Sequence, residues 1–150
     1  MSVKSQENNM RRLAELLSHN LGYIFGEREA GPNGDKKTFL NLGKVFLRAL
    51  AKDLGLRDVK VTANPAGIGV SGDCSLYGMW EEGGIYICLE QLFGGSDNVV
   101  LYRSIRDLHD HKGGYNRFLS VRELRHLSYE ELLDRFLTVR RDGGVYGRAA

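Results

Sequence analysis

VKVTANPAGIGVSGDCSLYGMWEEGGIYICLEQLFGGSDNVVLYR, residues 59–103, decides the fold. Its short runs are rich in Val, Ile and Tyr and alternate apolar with polar positions. They break at Asn64-Pro65, Glu82-Gly83-Gly84 and Gly94-Gly95-Ser96-Asp97. A period of two sends successive side chains to opposite faces of a strand, and Gly, Pro and Asn supply the turns between strands. The pattern predicts strands at about 58–63, 67–72, 74–80, 85–90 and 99–103. Their joins are too short for parallel crossovers, so the strands form an antiparallel meander. Glu82-Gly83-Gly84 is the cleaner hairpin. Gly72-Asp73 reads either as a second hairpin, which is preferred, or as a bulge in one bent strand. Gln91–Asn98 reads as a loop with room for a single helical turn.

The flanks read as helix. From Asn9 to about Ile24, Met10, Leu13, Leu16, Leu17, Leu21 and Ile24 recur at steps of three and four, which makes one buried stripe. Residues 1–8 are polar and expected to fray. Gly26–Asp35, with Pro32, Asn33 and Gly34, reads as a loop. A second helix is expected at about 37–54, its stripe carried by Phe39, Leu42, Phe46, Leu50 and Leu54. Gly43 inside it costs about 1 kcal/mol against alanine, which points to a close helix–sheet approach. Gly55 supplies the C-terminal stop. Beyond Tyr102, residues 103–118 read as an irregular excursion. Ser120-Val121-Arg122-Glu123 and Ser128-Tyr129-Glu130-Glu131 each fit a capping box and open short helices at about 121–126 and 129–139, with Leu132, Leu133, Phe136 and Leu137 facing inward. The whole is a single α+β domain: an antiparallel sheet of four to five strands packed by two N-terminal and two short C-terminal helices. A mobile basic tail is expected at 140–150. The predicted core joins Phe46, Leu50, Val61, Val70, Leu76, Ile85, Ile87 and Leu133.

Composition bounds the function. The chain of 150 residues is 42% hydrophobic and 27% charged, which suits one soluble globular domain and excludes general disorder. No apolar run approaches the roughly 18 residues of a membrane span. The N-terminus lacks the apolar segment of a secretory signal, so a cytoplasmic location is expected, and with it reduced, buried Cys74 and Cys88. Residues 101–150 hold 10 Lys/Arg, nine of them Arg, against 7 Asp/Glu, while residues 1–100 hold 11 against 12. Net charge is therefore concentrated in the C-terminal third, among Tyr102, Tyr115, Phe118, Tyr129 and Tyr146.

Catalytic motifs are weak. Asp73-Cys74 with His109 or His111 would supply a nucleophile and base for a small hydrolase or transferase only if the fold brought them together. His109-Asp110-His111 offers metal-ligand types without a ligating spacing such as HxxxH. Gly67-Ile68-Gly69 is followed by strand rather than helix, so it is not a phosphate loop. No metal and no cofactor is expected. Arg and Tyr, in contrast, anchor protein interfaces, and Arg also neutralises phosphates. The expectation is a non-enzymatic binding or inhibitor module acting on a protein or nucleoprotein partner, with direct nucleic-acid binding as the alternative and no membrane partner. The expected contact residues are Arg103, Arg106, Tyr115, Arg117, Arg140 and Arg141. A small sheet with helical flanks also resembles accessory proteins of bacterial mobile elements, without a shared motif from which residues could be carried over.

Overall fold

The computed structural model describes residues 1–18, 21, 35–67, 70–91, 97–111 and 113–141, with only the backbone at Arg141. Four helices and five strands run in the order α1 (Val3–Leu17), α2 (Asp35–Asp53), β1 (Arg57–Asn64), β2 (Asp73–Met79), β3 (Gly84–Glu90), β4 (Asn98–Ile105), β5 (Arg117–Ser120), α3 (Val121–His126) and α4 (Tyr129–Arg141). The sheet is antiparallel throughout and its spatial order, β1-β2-β3-β4-β5, is the chain order. The fold is the expected α+β meander with two helices before it and two short ones after.

The register sorts every strand residue to a face. Cys74, Leu89 and Val100 form one row and Leu76, Ile87 and Tyr102 the next. These rows point at the helices. α2 packs on β1 and β2, α4 packs on β3 and β4, and α1 lies against α2, α3 and α4. Phe46, Leu50, Leu76, Ile85, Ile87 and Phe136 are all buried, with Val61 and Leu133 packed at the margin. At about 25 cal/mol per Å² of apolar area removed from water, this core dominates stability.

Local signals explain most element ends. Gly55 sits at φ 71° after α2, its N–H donating to Lys52 O at 3.0 Å while Leu56 N donates to Ala51 O at 3.0 Å. That pair is a Schellman stop. Ser120 and Glu123 cap each other's backbone N–H across the start of α3, and Ser128 with Glu131 does the same for α4. Trp80 N donates to Gly83 O at 2.8 Å, closing the β2–β3 hairpin. Gly43 is the expected close approach: a Cβ there would run into the Cys74 side chain.

Several expectations are corrected. Val3–Asn8 is not frayed but helical, because Ser2 caps α1 and Gln6 is fully buried, its Nε2 donating to Phe46 O and to the Tyr129 hydroxyl at 3.2 Å each. The described residues of 67–72 form no strand. Val70 is 48% exposed and leaves the core. Gly72 is neither hairpin nor bulge. At φ 75° it ends the β1–β2 connection with no room for a side chain beside Asn64 O and Pro65. The fifth strand instead comes from Arg117–Ser120, inside the stretch expected to be irregular. The first helix, expected to run to about Ile24, ends at Leu17 with Ser18 as its C-cap, the Ser18 N–H donating to Ala14 O at 3.1 Å. Arg140 and Arg141, expected in the tail, are the last residues of α4. The expected loop at Gly26–Asp35 (all but Asp35), the helical turn after Gln91 and the tail from residue 142 lie outside the described residues.

Candidate functional site

The face of the sheet turned away from the described helices carries a different chemistry from the core face. Its central rows are Thr62, Ser75, Cys88, Leu101 and Phe118, and then Lys60, Tyr77, Tyr86 and Arg103. A third row sets Asp73 directly opposite Glu90. Thr62 and Ser75 share a hydrogen bond at 3.0 Å. The Tyr77 and Tyr86 rings lie 4.6 Å apart, and the Arg103 guanidinium stacks 5.0 Å from the Tyr86 centroid. Burial pushes the Tyr86 hydroxyl far above its ordinary range, so it is a neutral donor at any physiological pH. Burial also raises the Asp73 carboxyl, and burial followed by the Asp73 charge raises Glu90.

The connection from β4 to β5 folds back over this face. Arg103 is buried, and its two terminal nitrogens donate to Gly113 O and Asp110 O at 2.9 Å each. The buried Asp110 carboxylate accepts from Gly113 N at 2.7 Å and Arg106 N at 2.9 Å, with Arg106 Nε at 3.4 Å. A Cβ at Gly113 would strike that carboxylate, and one at Gly114 (φ 77°) would strike Ser104. The glycine pair is therefore a requirement of tight docking. Asp107 accepts from His109 N at 2.8 Å in a local turn, and the Tyr77 hydroxyl lies 3.5 Å from His111 Nδ1. The outcome is a loop tied back to the sheet through Arg103 and Asp110. It hands Tyr115 and Phe118, 40% and 41% exposed, to the surface at the β5 edge.

The expected contact residues divide. Arg106 and Tyr115 are exposed on or beside this loop. Arg103 is interior and builds the loop. Arg117 belongs to the helix side of β5, opposite Tyr102, and donates to Thr138 Oγ1 at 3.1 Å. Arg140 is exposed and stacks 5.6 Å from the Trp80 ring. The side chain of Arg141 lies outside the described residues. Phe118 is the contact candidate that charge counting missed, and strand alternation from Arg117 would have exposed it.

The nucleophile–base idea fails on facing. Cys74 is fully buried on the helix side, its Sγ 3.5 Å from Leu40 O, whereas His111 meets Tyr77 on the other side. Burial first, and then the Asp73 charge, pushes the Cys74 thiol up to about 12, and burial does the same to Cys88. Neither is a thiolate at neutral pH. Among the described residues no group of three or more His, Cys, Asp or Glu could hold a metal ion, and no helix is long and apolar enough to cross a membrane.

Among the described residues three arginines of the C-terminal third sit beside carboxylates, Arg106 at Asp110 being one. Arg135 pairs with Glu123 at 2.9 Å, and Arg125 reaches Glu15 in α1 at 4.0 Å. Burial would raise Glu123, but the Ser120 N–H and then Arg135 outweigh it and hold the carboxyl below its usual range. No protein-family model matches the chain, nor does any curated protein or solved structure, so its functional reading rests on this geometry.

Proposed function

We propose that the protein is a non-enzymatic binding module that engages a protein or nucleoprotein partner at the β5 edge and the loop before it. The observation that carries this reading is the pairing of a pinned loop with exposed aromatics. Asp110 and Arg103 tie the loop down at Arg106, Asp110 and Gly113, and Tyr115 and Phe118 stand exposed at its end. Preorganisation lowers the entropy lost on association, and large aromatic anchors with a neighbouring arginine supply most of the binding energy at protein interfaces. Arg106 provides that arginine. Arg103 acts through the loop as a positioning residue.

Direct nucleic-acid binding draws on the half-exposed Tyr77–Tyr86 stack with Lys60 in its row, since bases stack on such rings. Asp73 and Glu90, one row away, oppose a phosphate backbone, so the protein reading is preferred.

The test is purification of the tagged chain from its native cells, with and without nuclease, beside a Tyr115→Ala/Phe118→Ala variant. The expected result is a partner protein that survives nuclease and is lost from the variant. Equal recovery by a folded variant would end the assignment of this edge. Loss on nuclease alone would favour the nucleic-acid reading.

A further inference from the structure

At the opposite edge of the sheet, α2, the α2–β1 turn and β1 enclose an open groove of about 550 Å³. Its lining is mostly apolar, with Val45, Ala49, Leu56 and Val59, and its charged members are Arg48, Lys52 and Asp53. Val45 and Val59 are large hydrophobics left exposed by the described residues. β1 is the terminal strand of the sheet, so among the described residues one side of its backbone has no neighbouring strand.

The charges here differ from those elsewhere. Among the described residues, Arg48 and Lys52 make no ion pair, and neither does Arg57 beside Leu56. Two carboxylates are near. Asp53 accepts the Tyr129 hydroxyl at 2.5 Å, and Asp58 follows Arg57 in the strand. The groove therefore presents an apolar trough with more positive than negative charge in its lining, Arg48 and Lys52 against Asp53.

From this complementarity we propose that the α2–β1 groove is a second docking site, which takes an acidic segment of a partner protein carrying apolar anchor residues. Apolar side chains would fill the trough over Val45 and Val59, and carboxylates would meet Arg48, Lys52 and Arg57. Matching of charge around an apolar centre sets both specificity and encounter rate. A nucleic acid fits less well, because no aromatic side chain lines the groove to stack on a base. A second copy of the chain fits less well too. A two-fold contact through this patch sets like patches face to face, bringing Arg48 and Lys52 against their own copies. The site is on the far edge from the aromatic loop and does not depend on it.

The test is selection of a random dodecapeptide library against the wild-type protein, followed by direct binding of the enriched peptides to Arg48→Glu/Lys52→Glu, to the milder Arg48→Ala and to Val45→Glu. All three positions are solvent-facing, and folding is checked by thermal melting. The expected result is enrichment of acidic peptides with apolar residues, bound roughly tenfold or more weakly by the charge-reversed and Val45→Glu proteins. Failure to enrich, enrichment of basic or uncharged peptides, or binding unchanged in folded variants would overturn the proposal. So would a single-stranded oligonucleotide, or a concentration-dependent dimer, whose association is abolished by Arg48→Ala while peptides fail to bind.

Discussion

The two edges of the sheet solve the problem of an open border differently. At β5 the chain is short, four residues against eight in β1, and the preceding loop is locked down by a buried carboxylate and a buried guanidinium. At β1 the edge is long, kinked by a register shift with Asp58 at φ 53°, and flanked by Arg48, Lys52 and Arg57, which make no ion pair among the described residues. A bulge and edge charges both discourage strand-to-strand aggregation. The β5 edge is therefore preorganised and aromatic, whereas the β1 edge is electrostatic with an apolar trough. The difference teaches that net charge along a sequence does not locate exposed charge. In the arginine-rich third three arginines pair with carboxylates, one of these in α1, while in the nearly neutral first hundred residues Arg48, Lys52 and Arg57 make no ion pair among the described residues.

Both edges hang on one core, and the largest expected effect lies there. Phe46 is buried in α2 and meets the Tyr129 ring edge-on at 6.4 Å. Phe46→Ala should cost about 3–5 kcal/mol in chemical denaturation. Loss of less than about 1 kcal/mol would mean that α2 does not clamp β1 to the rest of the sheet, and the comparison of edges on a shared scaffold would fail with it.

The next effect separates the edges. Asp110→Ala strips acceptors from Gly113 N and Arg106 N and should destabilise by about 1–3 kcal/mol, the usual range for buried donors left unsatisfied. Hydrogen exchange should accelerate in 106–116 and remain unchanged at β1. Uniform acceleration would show that the loop is not a separately docked unit.

Gly43→Ala tests the β1 side in the same way. Helix propensity alone predicts a gain of about 1 kcal/mol. The new Cβ collides with Cys74, so a net loss of about 1–3 kcal/mol is expected. Cys74→Ala in the Gly43→Ala background should return part of it, a coupling that a double-mutant cycle reads directly. Cys74 and Cys88, with thiols near 12, should label with a thiol reagent only as the chain unfolds. Fast labelling at neutral pH would contradict their burial.

The sequence carried much of this by local rules. Period-two runs placed β2, β3 and β4, the two serine boxes placed α3 and α4, and Gly43 announced a close packing contact. What it hid was relational. β5 is four residues in a charged setting, and its pairing with β4 depends on a loop closed by Asp110, which no local pattern reveals. Ser2 and Gln6 looked like a polar tail because the burial of Gln6 depends on Phe46 O and Tyr129, 40 and 123 residues away. Contact candidates suffered most. Arg103 is the most occupied arginine of the set, and Phe118 was passed over because charge, not strand facing, guided the choice.

The smallest effect concerns the middle of the sheet and should leave both edges alone. Asp73 and Glu90 are cross-strand partners with like charge, a pairing that costs about 0.2–1 kcal/mol. Both carboxyls are raised, Asp73 by burial and Glu90 by burial and then by Asp73. A carboxyl whose folded pKa exceeds its unfolded value binds its proton more tightly in the folded state. Its stabilising contribution is complete below the unfolded pKa, near 4, and is lost as pH rises through the folded value. Glu123 runs the other way: being lowered, it contributes above its unfolded pKa and loses that contribution as pH falls. Comparing Glu90→Gln with wild type cancels the Glu123 part. The variant should be more stable at pH 7 by a few tenths of a kcal/mol, since both groups are mostly solvated and screened. The advantage should close below about pH 4, where the wild-type carboxyl is itself protonated. A difference that stays constant from pH 7 to pH 3 would mean that the pair does not interact. Peptide or partner binding altered by Glu90→Gln would mean that the centre of the sheet, and not its two edges, is where this protein is read.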